Sequence, residues 1–152
     1  MENATALRTA SLLHESARTL TRLLDRELAS QKVTAQQAAL LMNLANGETS
    51  PKQLATKLGI DTAGTTRLID RLETKGMLRR HRGSEDRRAV ILELTDAGRR
   101  AIPALVPAFG RGAANLFTGL ADADIRRLGD LLERALANAG QPRENQGADA
   151  RA

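Results

Sequence analysis

Ser50-Pro51-Lys52-Gln53-Leu54-Ala55-Thr56-Lys57-Leu58-Gly59-Ile60-Asp61-Thr62-Ala63-Gly64-Thr65-Thr66-Arg67-Leu68-Ile69-Asp70-Arg71-Leu72-Glu73-Thr74-Lys75-Gly76 reads as two helices joined by a tight turn. Ser50 can cap the free amides of a helix whose first residue, Pro51, sacrifices no hydrogen bond there. Lys52–Leu58 continues that short helix with Leu54, Ala55 and Leu58 inward, and Gly59 closes it in a left-handed conformation that a side chain would disfavour. Asp61 caps the next helix, Thr62–Lys75, which buries Leu68, Ile69 and Leu72 and turns Thr62, Ala63, Thr66, Arg67 and Arg71 outward until Gly76 ends it. Two helices across a glycine-containing turn, the second polar and basic on its free side, form a helix-turn-helix.

Beyond Gly76 the period changes. Met77–Arg82 predicts a short strand, Gly83-Ser84-Glu85-Asp86 is turn chemistry, and Ala89–Leu94 alternates with Val90, Leu92 and Leu94 on one face. A hairpin directly behind a helix-turn-helix is the wing of a winged helix. This one carries Arg79, Arg80, Arg82, Arg87 and Arg88, more cations than strand pairing requires. Asp86 and Arg88 stand two apart, so in an extended segment they share a side, and the carboxylate is expected to hold the guanidinium in one orientation. The plainer alternative is a surface ion pair that only stiffens the turn, worth about 0–1 kcal/mol.

The flanking segments are helical. Leu13, Ala17, Leu20, Leu24 and Leu28 recur at helical spacing from Ala4 to Ala29, and Leu12 and Leu23 widen the stripe beyond what a small domain covers, so part of this helix is expected to meet another subunit. Thr34 is the N-cap expected for a helix over Ala35–Asn46 that stops at Asn46-Gly47. Thr95-Asp96 opens a long helix carrying Ile102, Leu105, Val106, Phe109, Ala113, Leu116 and Phe117, which Pro103 and Pro107 should kink or split. A last helix begins near Asp122, aligns Ile125, Leu128, Leu132 and Leu136, and ends at Asn138-Ala139-Gly140. The expected division is 1–33, the N-terminal helix; 34–98, the helix-turn-helix and wing; 99–139, the C-terminal helices, to which, as to 1–33, the family resemblance given below assigns dimerisation; and 140–152, a polar, disordered tail.

Composition narrows the chemistry. The 152 residues carry a formal charge of +5, from 23 Lys and Arg against 18 Asp and Glu. Residues 51–100 hold twelve of the basic and seven of the acidic residues, whereas 1–50 and 101–152 are each balanced, so the surplus lies on the helix-turn-helix and wing. Localised surplus is the footprint of a polyanion-binding element. There is no cysteine, and His14 and His81 are the two histidines, which argues against zinc sites, thiol switches and metal sensing; no cofactor or metal is expected. Phe109 and Phe117 are the whole aromatic content, so base-stacking platforms are ruled out and duplex grooves favoured. No phosphate loop, metal-ligand helix motif or Ser/His/Asp grouping points to an enzyme. Without an apolar run of membrane length or an export signal, a cytoplasmic protein that avoids membranes is expected.

The stretch quoted above, with Asp86-Arg87-Arg88 and Leu92-Glu93-Leu94-Thr95-Asp96-Ala97-Gly98, resembles the MarR family of bacterial transcriptional regulators. The detailed match covers about residues 50–98, and the flanking helices agree with the family's layout in order and length. The resemblance implies a mainly α fold with a small β-hairpin wing, a winged helix-turn-helix flanked by long N- and C-terminal dimerisation helices that interlock between subunits. Recognition-helix contacts fall on Thr62, Ala63, Gly64, Thr66 and Arg67; Thr65 and Arg71 join them from the residue pattern. The family's Asp-x-Arg wing motif falls on Asp86 and Arg88, with Arg88 the minor-groove residue, and Arg82 and Arg87 flank it. Ala63 and Gly64 depart from the hydroxyl side chains often found there.

The expected activity is sequence-specific binding of double-stranded DNA by a homodimer acting as a repressor on a pseudo-palindromic operator. The resemblance also implies release by a small ligand, often an aromatic acid or phenol, and His14, Arg18 and Arg22 are the candidates for meeting an anionic one. Two rivals differ in kind: a non-specific architectural DNA-binding protein, recognised by a specificity ratio below about tenfold, and a protein-interaction module whose basic wing docks on an acidic partner. For the helix at 62–75, the competing reading is an ordinary surface helix with solvated Arg and Thr.

Overall fold

A computed structural model describes residues 2–140, so the tail expected at 140–152 lies, from 141 on, outside the described residues, while Gly140 belongs to the last helix. The chain forms α1 (Glu2–Leu28), a single 3-10 turn at Ala29–Gln31, α2 (Ala35–Ala45), α3 (Pro51–Leu58), α4 (Thr62–Thr74), β1 (Leu78–Arg82), β2 (Val90–Leu94), α5 (Asp96–Leu116) and α6 (Asp122–Gly140). This is a winged helix-turn-helix with long helices on either side. Residues to Leu116 make one compact unit, and a second begins at Phe117.

Caps set most of the boundaries. At α2 the Thr34 hydroxyl accepts from the Gln37 N–H while the Gln37 side chain accepts from the Thr34 N–H, a reciprocal capping box. Ser50 caps α3 with Pro51 at its start, and Asp61 Oδ1 accepts from the Gly64 N–H at 2.6 Å to cap α4. Each such cap contributes about 1 kcal/mol. Gly59 and Gly76 close α3 and α4 at φ +62° and +70°, the left-handed region expected of them.

The core of the first unit is a cluster of leucines contributed by most of its elements: Leu24 and Leu28 from α1, Leu40, Leu41 and Leu44 from α2, Leu54 from α3, Leu68, Ile69 and Leu72 from α4, Leu78, Leu92 and Leu94 from the hairpin, and Leu105 and Ala108 from α5. The hairpin is antiparallel in the register Leu78↔Leu94, Arg80↔Leu92, Arg82↔Val90. Its base is therefore in the core, whereas Val90 at the outer end is exposed. A further tie, the Leu92 N–H donating to the Thr49 carbonyl, holds β2 to the segment before α3.

Of the two outcomes expected for α5, a kink or a split, the split does not occur: the helix runs from Asp96 to Leu116 through Pro103 and Pro107. Burial of Leu105 and Ala108 against α1 and α2 outweighs two missing backbone bonds. Where α1 crosses α5 the helices meet at Gly112, where a Cβ would lie 2.6 Å from Leu24 Cδ2 and 3.2 Å from its Cα. Arg111 closes the same crossing by an ion pair to Glu27 at 2.7 Å. Towards its N-terminus α1 leaves Leu7, Leu12 and Leu13 exposed, so the wide stripe read from the sequence is not covered by the unit's own core. In the second unit, α6 presents Leu128, Leu131 and Leu136 to solvent, and Leu136 is 72% exposed.

One junction governs the arrangement. The Thr95 hydroxyl donates to the Gly76 carbonyl at 2.5 Å and accepts from the Gly98 N–H at 3.1 Å, while the Thr95 N–H donates to the Met77 carbonyl at 3.1 Å. The end of α4, the start of β1 and the first turn of α5 thus meet at one side chain. Gly98 permits it, because a Cβ there would stand 2.0 Å from the Met77 carbonyl oxygen, a backbone atom that cannot rotate away. Gly98→Ala is expected to cost about 1–3 kcal/mol, read as a lowered midpoint in urea unfolding, with Gly112→Ala lowering it as well by parting α1 from α5.

Candidate nucleic-acid interface

α4 is amphipathic about the line Leu68–Ile69–Leu72. Its exposed side divides into two flanks. Thr62 and Thr66 line a cleft shared with Lys52, Thr56 and Asp61 of the preceding helix and turn, whereas Gly64, Arg67 and Arg71 line a shallower one beside Gln36. Thr62, Ala63, Thr66, Arg67 and Arg71 are exposed, as their spacing suggested. The Thr66 hydroxyl donates to the Thr62 carbonyl at 2.9 Å and keeps its lone pairs free to accept.

Thr65 corrects the sequence reading. It is 2% exposed and packs inward beside Leu68 and Ile69, with no hydrogen-bond partner for its hydroxyl, so it cannot serve as a DNA contact. The helical period allowed either side; a threonine is small enough to fill the space between α3 and α4. Gly64 acquires a different explanation from close approach to a duplex. A Cβ there would fall 2.6 Å from Ile60 Cγ2 and 2.8 Å from the capping Asp61 Oδ1, so the tight turn alone disfavours a side chain.

The wing separates its arginines into two groups. Arg79 is paired with Glu93 at 2.8 Å on the neighbouring strand, and Arg80 reaches back to Asp70 at 2.5 Å and to Glu73, both on α4. Their charges are therefore spent within the fold, against the expectation that they add to the basic tip. Arg82, Arg87 and Arg88 have no carboxylate within 4.0 Å among the described residues, and Arg82 Nη1 donates to the Arg87 carbonyl at 3.3 Å. All three are exposed.

Asp86 acts differently from the expected ion pair. Its Oδ1 accepts from the backbone N–H of Arg88 at 2.8 Å, not from the guanidinium, because residues 83–89 form a turn and the extended geometry that would align the side chains does not exist there. The carboxylate shapes the backbone and leaves the Arg88 head free. Gly83 belongs to the same turn: a Cβ would sit 2.7 Å from the Asp86 carbonyl oxygen.

Electrostatics follow the pairing. Partial burial pulls the Arg80 pKa down, but hydrogen bonds and charge from Asp70 and Glu73 outweigh it and hold the pKa above its usual range. The hydrogen bond and charge of Arg79 hold the Glu93 carboxyl below its ordinary 4.5, with smaller help from Arg99 and His81.

Two anchors were invisible in the sequence. Lys75, at the end of α4, donates to the Lys32 carbonyl at 2.6 Å and to Gln37 Oε1 at 2.9 Å, fixing the recognition helix to the junction of α1 and α2. Asp25 of α1 accepts from the Ala35 N–H at 2.6 Å, tying the same junction from the other side. Neither pair has a local spacing that would announce it. His14, Arg18 and Arg22 lie at four-residue intervals on the exposed side of α1; the Arg22 guanidinium donates to Thr19 Oγ1 at 2.9 Å. Among the described residues no group of three or more His, Cys, Asp or Glu is placed to hold a metal ion, and no helix is long and apolar enough to cross a membrane.

Comparison with known proteins agrees with this geometry. The MarR family sequence model matches residues 31–89, from the end of α1 to the wing tip. A Bacillus subtilis protein described as an uncharacterized HTH-type transcriptional regulator, YwaE, is 30% identical over 138 residues, 90% of this chain and 81% of its own. The chain belongs to the MarR family. Among solved structures, a mutant MarR from E. coli complexed with operator DNA superposes with a TM-score of 0.79 at 26% identity, covering 87% of this chain and 96% of that one. Bordetella bronchiseptica BpsR, whose DNA binding is regulated by 6-hydroxynicotinic acid, gives 0.78 at 25% identity over 85% and 98% of the two chains. This member of the MarR family is thus a transcriptional regulator by kinship, with Arg82, Arg87 and Arg88 of the wing and Arg67 and Arg71 of α4 among its cations that have no carboxylate partner among the described residues.

The Glu93 shift gives a pH dependence. A carboxyl whose folded-state pKa is depressed adds stability above its unfolded value and loses it as pH falls through the folded one. Parent and Glu93→Gln should therefore differ in urea midpoint at neutral pH and converge as pH drops below 4.5. A difference that persisted to lower pH would show that the Arg79 pair does not stabilise the hairpin through charge.

Proposed function

We propose that the protein is a sequence-specific DNA-binding repressor that acts as a homodimer on a pseudo-palindromic operator and is released by a small anionic or aromatic ligand. The observation that carries this is the sorting of wing arginines: Arg79 and Arg80 are paired with carboxylates of β2 and α4, while Arg82, Arg87 and Arg88 are left without carboxylate partners on a turn shaped by Asp86. Unpaired guanidinium groups at a hairpin tip suit the minor groove, whose negative potential deepens where it narrows. Beside them, α4 offers Thr62, Thr66 and Arg67 to base edges in the major groove and Arg71 to the backbone. The operator-bound E. coli neighbour supports the same use of the fold.

The dimer is inferred from apolar surface that the first unit leaves open on α1 and that α6 leaves open in the second. In this reading residues 1–33 and 99–139 join the subunits and 34–98 is the DNA-binding lobe. Two lobes related by a two-fold axis then place their recognition helices in major grooves about 10 bp apart. The ligand arm rests on Arg18 and Arg22, which offer cationic groups along α1, with the His14 imidazole beside them, and on the ligand-regulated BpsR neighbour. An effector would induce genes by favouring a lobe spacing that no longer fits that repeat. The protein works in the cytoplasm in this reading and catalyses no reaction.

A second reading is favoured by Ala63 and Gly64, which bring no hydrogen-bonding side chain to the start of α4: a non-specific architectural DNA-binding protein. Selection from random duplexes with purified protein decides between them. The repressor reading expects an inverted repeat bound at least 10³-fold over random DNA, and a ratio under about tenfold would give the architectural reading. On the selected site, Arg88→Ala should weaken binding by about 1–3 kcal/mol with the dimer intact. Arg67→Ala should chiefly relax base preference; equal losses on operator and random DNA would make that residue a phosphate clamp.

A further inference from the structure

The core holds only the base of the wing. Leu78, Leu92 and Leu94 are buried, but outward of the Arg80↔Leu92 pair no hydrophobic side chain of the hairpin belongs to the buried core: Ile91 is half-buried beside Gly83 of its own turn, and Val90 is exposed. A two-stranded ribbon is not rigid by itself. Some tie is needed if the unpaired arginines are to keep a fixed position relative to α4.

Arg80 sits at that level. Its Nη2 donates to Asp70 Oδ1 at 2.5 Å, its Nη1 donates to Glu73 Oε2, and its backbone N–H donates to Glu73 Oε1 at 3.0 Å. Asp70 and Glu73 are three apart on α4, hence on one side of it, and the planar fork of a guanidinium spans both. As a contribution to stability such a half-exposed cluster is small. As a geometric constraint it is strong, since three hydrogen bonds with fixed directions join the middle of β1 to the recognition helix.

We propose that Asp70, Glu73 and Arg80 form a brace that fixes the angle between wing and recognition helix, so that two acidic residues on the DNA-binding helix promote operator binding. Arg80 is a positioning residue here, not a DNA contact, and it acts through Arg82, Arg87 and Arg88. Any slack at Arg80 is magnified at the tip, because the free part of the hairpin is a lever pivoting there. The inference rests on the DNA-binding reading above for its consequence but not for its geometry.

The decisive variant is the double Asp70→Ala/Glu73→Ala, which raises the charge of each subunit by two. Simple electrostatics makes this protein a tighter DNA binder, since removing acids strengthens attraction to phosphate. The brace makes it weaker: an operator affinity lower by about tenfold or more, with hydroxyl-radical protection lost at the outer minor grooves and kept over the central major grooves. Equal or tighter operator binding with the outer protection retained would overturn the proposal.

Arg80→Lys adds an independent arm. It keeps the charge and loses the fork, so a brace fails with it, whereas a phosphate contact would survive. Retained affinity in this variant overturns the proposal. The salt dependence separates the two roles further. Loss of one phosphate contact per subunit lowers the slope of log K against log salt by roughly two, and release of three arginines per wing lowers it by more.

Residual dipolar couplings of the DNA-free protein judge the brace even if no operator exists. One alignment tensor should fit the amides of α4 and of the hairpin together in the parent, and should fail to fit both in the double variant. A common fit in the double variant overturns the brace. Absence of operator binding by the parent would instead overturn the proposed function.

Discussion

The close approach of two backbone segments at Met77 and Gly98 is the constraint on which the rest of the fold depends. A Cβ on residue 98 would stand 2.0 Å from the Met77 carbonyl oxygen, and the same carbonyl accepts from the Thr95 N–H. Because Thr95 also reaches the Gly76 carbonyl and receives the Gly98 N–H, the C-terminus of α4, the first residue of the wing and the first turn of α5 share one set of hydrogen bonds. No part of this cluster can shift alone without leaving a polar group unsatisfied, at a cost of about 1–3 kcal/mol for each one buried. The end of α4, the base of the hairpin and the start of α5 are therefore held together at this junction. At the other end of α4 the cap of Asp61 and the packing of Ile60 define where the helix starts.

Charge is arranged in two ways. Some cations are paired across the fold: Arg79 with Glu93, Arg80 with Asp70 and Glu73, Arg111 with Glu27, Lys57 with Glu48. Where the chain turns at the wing tip they are left unpaired, and the single carboxylate most closely involved, Asp86, is engaged by a backbone amide. An acid used in this way shapes the turn through a directional bond while the neighbouring guanidinium keeps its full capacity for a polyanion. Within residues 51–100, Lys57, Arg79, Arg80 and Arg99 have carboxylate partners, whereas Lys52, Arg67 and Arg71 of the helix-turn-helix and Arg82, Arg87 and Arg88 of the wing have none among the described residues.

Elements announced by local chemistry were legible in the sequence. Thr34, Ser50, Asp61 and Thr95 start helices and Gly59 and Gly76 end them, because capping depends on residues within one turn of the boundary. The antiparallel wing was equally clear from the change to period two. Side-chain placement was less so. Thr65 sits on the border between the buried and open sides of α4, where spacing alone does not decide, and it is buried in the fold. Arg79 and Arg80 looked like part of a basic tip because their partners are seven to fourteen residues away, on other elements. The prolines of α5 did not settle whether the helix splits: it continues through both, with Leu105 and Ala108 buried between and beyond them.

The composition of α4 explains why wing geometry should matter to this regulator. Ala63 and Gly64 present no hydrogen-bonding side chain, Thr65 is buried, and the side chains left near the helix start are Thr62, Thr66 and Arg67. So short a set reads few base pairs directly. In the proposed complex the remaining discrimination has to come from the shape of the duplex, above all the width of the flanking minor grooves. Reading shape demands fixed distances: a cationic tip that swings freely meets wide and narrow grooves alike, whereas one held at a set angle rejects a groove that is misplaced. A recognition helix poor in reading side chains and a wing tied to it by Arg80 are, on this argument, two parts of one means of specificity.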